Sequence, residues 1–354
     1  MHNLNSLLWN SSSAFRDTIA LLKTKNQLEI KGIASLALPS FLKALYMAIS
    51  PRPLLFINSQ ESLNSLHKFS NQLKRLETEN EIVPTSQVSL LEGLGESEHH
   101  FAKISELLNI WLNAQNSFVI ASAKSLIQPV MPIDKFKHNQ IILQKKQSLN
   151  LTTLLAQLVS LGYKRVDTVL DIGCFALRGD ILDIYSAGLA VRLNFFGDEI
   201  ESLKPFEPWT QRSIRNQELE KVIISPLRPF IFDFAEKSNN LQKLVLELEE
   251  TQAEFWRQDL NNGDWQRFIP WLEDDLCSIL DYFPTDGLIV IEEPMALEAQ
   301  LQRIYERLAQ ELEHKLTRKY LPNSQKLLLE KIIQIPQTIF AKLADKKVLK
   351  IISG

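Results

Sequence analysis

The sequence predicts an α/β protein: a parallel-sheet domain interrupted by a small antiparallel, β-rich domain. Three observations predict it. Short apolar runs alternate with helical patterns in the first third of the chain. Glycine-punctuated alternating strands fill the middle, and strand–helix patterning returns near the end. At 354 residues the chain is too long for one compact core. Its 45% hydrophobic and 23% charged residues are ordinary for a globular protein.

Taken in order, Leu54, Leu55, Phe56, Ile57 and Asn58 form a short apolar run entered through Pro51 and Pro53, which reads as a buried strand. Leu66, Phe69, Leu73 and Leu76 follow at helical spacing. Ile82–Val83 and residues 117–121 read as further strands, with a helical pattern from Phe101 to Trp111 between them. The texture changes near Pro129 and Pro132. From Tyr163 to Phe206 short alternating strands are separated by Gly173, Gly188 and Gly197, as in a hairpin-rich domain. After Pro226 helices return, marked first by Leu241, Leu244 and Leu248. Leu288–Ile291 reads as a buried strand. It precedes a long helix with the stripe Leu297, Leu301, Ile304, Leu308 and Leu312, closed by Tyr320 and Pro322. The expected divisions are 1–130 (α/β), 131–224 (β-rich) and 225–354 (return to α/β).

The composition excludes several function classes. A net charge of −3 without a concentrated basic stripe argues against a dedicated nucleic-acid binder. Trp256, Trp265 and Trp271 could stack bases, but only Arg257 and Arg267 lie among them, so packing is the plainer reading. Two distant cysteines, Cys174 and Cys277, and histidines without ligand spacing predict no metal site. Residues 1–13 lack the pattern of a signal peptide, and no apolar run is long enough to span a bilayer. The expectation is a bacterial cytoplasmic protein with reduced thiols.

The most informative stretch runs from Gly162 to Ile214. Alternate residues of a strand share a face. Val191, Leu193 and Phe195 therefore suit a core, which leaves Arg192, Asn194 and Phe196 on the other side. Phe175 and Leu177 likewise oppose Ala176 and Arg178. A phenylalanine exposed beside arginines has the character of an interface anchor. The alternative is that Phe196 turns inward at a bulge near Gly197 and the arginines are merely solvated.

Two ordered segments carry a resemblance. Arg178-Gly179-Asp180-Ile181-Leu182-Asp183-Ile184-Tyr185 and Phe195-Phe196-Gly197-Asp198-Glu199-Ile200 resemble the hallmarks of the UvrB-homology region shared by UvrB and the bacterial transcription-repair coupling factors (Mfd). The resemblance is strong over 162–214, moderate over 274–294 and weak near the start. It implies a degenerate P-loop-NTPase or helicase-like sheet carrying the β-rich insert. It also implies that the insert is read by UvrA, with the family's contact positions falling on Arg178, Arg192 and Phe196.

The same resemblance implies an absence of catalysis. Where UvrB carries a GxxxxGK[ST] phosphate loop, residues 28–40 keep only Gly32, no glycine–lysine pair follows, and Pro39 removes an amide. The metal-binding box after the strand at Leu288–Ile291 reads Glu292-Glu293-Pro294-Met295, expected as two solvated carboxylates. Residues 121–129 leave no room for UvrB's DNA-gripping hairpin. No cofactor is expected, since ATP would bind only translocase domains outside this sequence. RNA polymerase and DNA would be reached only through such domains, and a masking carboxy-terminal domain would cover the UvrA surface in the full protein. Two other roles stay open: a scaffold for the translocase domains, and a divergent nucleotide hydrolase acting through Glu292 and Glu293.

Overall fold

A computed structural model describes residues 9–59, 63–85, 98–113, 116–186, 188–227, 242–262, 271, 276–322 and 329–353. The chain forms two compact units: residues 1–94, 110–130 and 235–354 in the first, 95–109 and 131–234 in the second.

The first unit opens with α1 (Ser13–Thr24), whose start is fixed by the Ser12 hydroxyl accepting from the Phe15 amide. Its buried residues Phe15, Thr18 and Leu22 follow helical spacing. Then come β1 (Gln27–Lys31), α2 (Leu38–Ile49), β2 (Leu54–Asn58), α3 (Leu63–Arg75), β3 (Glu81–Ile82), α4 (Glu98–Leu112, of which residues 98–109 group with the second unit), β4 (Phe118–Ser122) and α5 (Ala123–Ile127). Every residue of β2 and β4 is buried, as expected of strands covered on both faces.

The second unit contains α6 (Ile133–His138), β5 (Ile141–Gln144), α7 (Leu151–Ser160), β6 (Lys164–Arg165), β7 (Cys174–Arg178), β8 (Ile181–Ser186), β9 (Leu189–Phe196), β10 (Glu199–Glu207), β11 (Arg212–Ser213) and β12 (Lys221–Ile224). The chain then returns to the first unit with α8 (Glu250–Asn262), α9 (Ile279–Tyr282), β13 (Leu288–Glu292), α10 (Pro294–Thr317), α11 (Pro336–Ala344) and β14 (Val348–Ile352).

The large sheet is six-stranded and parallel, in the order β1-β14-β13-β2-β4-β3. Its core gathers Phe15, Phe41, Leu42, Leu45, Phe56 and Val290. The small sheet runs β11-β10-β9-β8-β7-β6 and is antiparallel except for a short parallel pairing of β6 with β7. A separate two-stranded sheet pairs β12 with β5.

The predicted mixed α/β architecture with an inserted β-rich part is thus present. Of the described residues, 98–109 and 225–227 group with the β-rich unit. The cause is long-range packing: Ala102 and Leu227 lie in the core under the small sheet, and the Ser105 hydroxyl donates to the Pro226 carbonyl. Trp256 is buried with its ring edge-on to Trp271 at 5.3 Å, so those two pack rather than wait for a base, while Trp265 lies outside the described residues.

Candidate functional site

The small sheet has two faces of different character, and period-two alternation creates both. On one, Phe175, Leu182, Ile184, Val191, Leu193, Phe195, Ile200 and Leu203 form the unit's core. On the other, Ala176, Asp183, Arg192 and Lys204 lie side by side across β7, β8, β9 and β10. One end of this second face is closed by a small cluster of Val169, Ala176, Ala190 and Phe206. Toward the other end stand Arg178, Asn194 and Phe196.

Two tight hairpins aim those residues. Arg178 pairs with Ile181 and Phe196 with Glu199, so Gly179–Asp180 and Gly197–Asp198 are two-residue loops. Gly179 and Gly197 hold φ of +59° and +62°, a conformation that a side chain at either position would strain. Past Gly197, a register shift between Ile200 and Ser202 marks a bulge on β10, not on β9. Phe196 therefore stays outward and is 81% exposed. The alternative in which Phe196 turns inward does not occur.

The arginines are organised rather than simply solvated. Asp183 is fully buried, and both guanidiniums converge on its carboxylate. Arg192 donates from Nε to Oδ1 at 2.7 Å and from Nη2 to Oδ2 at 2.9 Å, the bidentate fork that Arg forms best. Its Nη1 donates to the Gln211 carbonyl at 3.1 Å, and its guanidinium lies 5.1 Å over the Phe206 ring. Hydrogen bonding to Asp183 raises the Arg192 pKa further above its already high value. Arg178 donates to Asp183 Oδ2 at 2.5 Å, yet 43% of its side chain stays exposed, against 16% for Arg192.

One carboxylate thus serves two guanidiniums, and the cluster keeps a surplus positive charge facing solvent beside an exposed phenyl ring. Sequence parity placed Arg178, Arg192 and Phe196 on one face, and the structure brings them there. Asp183 was part of the quoted motif but was given no role. The available signal was its own parity, opposite to Leu182 and Ile184.

The carboxyl end of the large sheet is a different kind of place. After β1 the chain turns at Gly32 (φ +86°) and enters α2, with Pro39 in the first turn. Glu292, the last residue of the fully buried strand β13, is only 7% exposed, and its Oε2 has no hydrogen-bond partner. Burial, reinforced by neighbouring Glu293, pushes its pKa up. Glu293 sits at φ +48° and its Oε1 accepts from the Ser353 amide at 2.6 Å. The expectation of two solvated carboxylates therefore fails for Glu292, because a strand flanked by β14 and β2 carries its last residue into the interior. Among the described residues no three metal-ligating side chains cluster, and no helix is long and apolar enough to cross a membrane.

The hairpin carrying Arg178 and the hairpin carrying Phe196 both fall within the span that matches a known family. Residues 141–230 match the UvrB interaction domain. Relatives of the chain agree with that match. It is 28% identical over 229 residues to the transcription-repair-coupling factor of Haemophilus influenzae, covering 60% of this chain and 19% of that protein. It is 30% identical over 187 residues to the Escherichia coli transcription-repair-coupling factor, covering 50% and 16%. The UvrABC system protein B of Gloeothece citriformis is 32% identical over 217 residues, covering 53% and 32%. The chain is UvrB-like and related to DNA-repair proteins, and it spans under a third of the length of each of these relatives. Within the matched residues, Phe196 is a large apolar side chain left open to solvent at a hairpin end of the second face.

Proposed function

We propose that the second face of the UvrB interaction domain docks UvrA, and that this chain supplies that grip to transcription-coupled nucleotide excision repair without hydrolysing ATP itself. The observation that carries the reading is the Arg178–Asp183–Arg192 cluster beside the exposed Phe196. A buried carboxylate that fixes two guanidiniums gives a preorganised, net positive patch. Such a patch suits carboxylates on a partner, and it loses little side-chain freedom on binding. Phe196 adds apolar burial of about 1.5–3 kcal/mol if fully covered.

The absence of ATP hydrolysis is supported by chemistry rather than by any missing ligand. The turn after β1 offers one glycine, a proline and no lysine where phosphates would need amides and a cation. Glu292 is buried, and burial together with Glu293 pushes its pKa up, which disfavours the charged form that a magnesium ligand supplies. RNA polymerase and DNA would then be engaged through other parts of the coupling machinery.

Calorimetric titration of the purified chain with UvrA tests the reading, with a parallel titration of magnesium-ATP. Saturable heat with UvrA and none with ATP is expected. Heat with ATP alone would favour the nucleotide-hydrolase reading instead.

A further inference from the structure

The hairpin between β10 and β11 carries a second exposed aromatic. Trp209 is 80% exposed, nearly as much as Phe196. Solvent-exposed tryptophans of this degree are uncommon on a surface that stays free, and tryptophan is among the residues most enriched at binding hot spots.

The loop that holds it is locked. The Gln211 amide donates to the Glu207 carbonyl at 2.8 Å, and the Thr210 hydroxyl donates to Glu207 Oε2 at 2.9 Å. Gln211 Nε2 donates to the carbonyls of Pro208 at 2.5 Å and Val169 at 2.8 Å. Arg192 completes the set through the Gln211 carbonyl. This fixing has costs. Gln211 adopts φ +58°, unfavourable for a residue with a side chain, and its Oε1 is buried without a partner. Backbone strain of this kind persists where the surroundings enforce it, and such places cluster at functional sites. Among the groups that hold Gln211 is Arg192, the same guanidinium that anchors the charged cluster.

We infer that Trp209 is a second aromatic anchor of the docking face. It would enter an apolar recess of UvrA while Phe196 and Arg178 engage the other end of the same surface. The inference rests on the UvrA-docking reading and extends it. Continuity is physical: Arg192 bonds Asp183 on one side and the Trp209 loop on the other, so cluster and loop are positioned as one piece. A rigid loop presents its indole with little ordering cost on association.

The test uses the unmodified chain first. Hydroxyl-radical footprinting with mass spectrometry reads the oxidation of Trp209 with and without UvrA. Protection of Trp209 in the complex is the expected result; equal oxidation in both states would overturn the inference. Affinity is then read for Trp209→Ala, Trp209→Phe and Phe196→Ala. Trp209→Ala is expected to weaken UvrA binding by about ten-fold or more, with Trp209→Phe recovering most of it and melting unchanged. Parental affinity in Trp209→Ala, with binding lost in Phe196→Ala, would overturn the inference and leave the docking reading standing. Failure of the parent chain to bind UvrA would overturn both.

Discussion

The carboxyl end of the large parallel sheet and the second face of the small sheet are built from the same materials, charged side chains at strand ends and tight glycine turns, but with opposite results. At the large sheet the charges are withdrawn. Glu292 is buried without a partner for Oε2, and Glu293 is tied to the Ser353 amide. At the small sheet a buried acid pushes charge outward. Asp183 is sealed, and in being sealed it holds Arg178 and Arg192 in a fixed, partly exposed arrangement beside Phe196. The difference teaches that a buried carboxylate is not by itself a sign of chemistry. What matters is whether its partners stand between it and solvent.

The largest effect that would break this comparison is removal of the shared acid. Asp183→Ala leaves Arg192 largely buried with no counter-charge, and it is expected to destabilise the β-rich unit by about 3–5 kcal/mol and to abolish UvrA binding. Thermal melting and titration would read the two losses, and a variant that melts like the parent would contradict the account of the cluster. Phe196→Ala should separate binding from folding. The ring is exposed in the free chain, so melting should not move, while affinity for UvrA should fall by about 2 kcal/mol, roughly thirty-fold.

A finer test is Arg178→Lys, which keeps the charge and removes the fork. With the side chain 43% exposed, the expected loss is under about 1 kcal/mol, or about five-fold in affinity, and it should shrink in high salt. The smallest effect belongs to the large sheet. Glu292 has a folded pKa raised above its unfolded value, so its protonated form is favoured by folding. Its contribution is fully present below the unfolded pKa and is lost as pH rises through the folded one. Glu292→Gln should therefore raise the melting temperature near about pH 8, with the gain fading toward about pH 4. A gain that grew on acidification would reverse that sign.

Much of the small sheet was legible in the sequence because period-two alternation is a local property. Val191, Leu193 and Phe195 could be assigned inward from composition alone, and Arg192 and Phe196 outward by elimination. What parity could not supply was register. Only the pairing of Ala176, Asp183 and Arg192 across three strands shows that one acid holds two bases. The resemblance pointed to Arg178, Arg192 and Phe196 but said nothing of what fixes them. The large sheet was legible as elements, since β2, β4 and β13 are continuous apolar runs. The burial of Glu292 was not, because an acid at the end of such a run reads the same whether the strand lies at an edge or in the centre. The grouping of residues 98–109 with the β-rich unit depends on contacts with Pro226 and its neighbours, more than a hundred residues away in sequence. Trp209 gave no signal at all, because a lone aromatic in a turn has no period to read.

The most direct test of the central claim compares two variants for UvrA binding. One is the double change Arg178→Ala and Phe196→Ala on the small sheet, which leaves Arg192 to pair with the buried Asp183. The other is the double change Glu292→Gln and Glu293→Gln at the large sheet. The account expects a chain that folds in both cases, with UvrA binding lost in the first and kept at parental affinity in the second. A small-sheet variant that binds like the parent, or a large-sheet variant that alone loses binding, would contradict it.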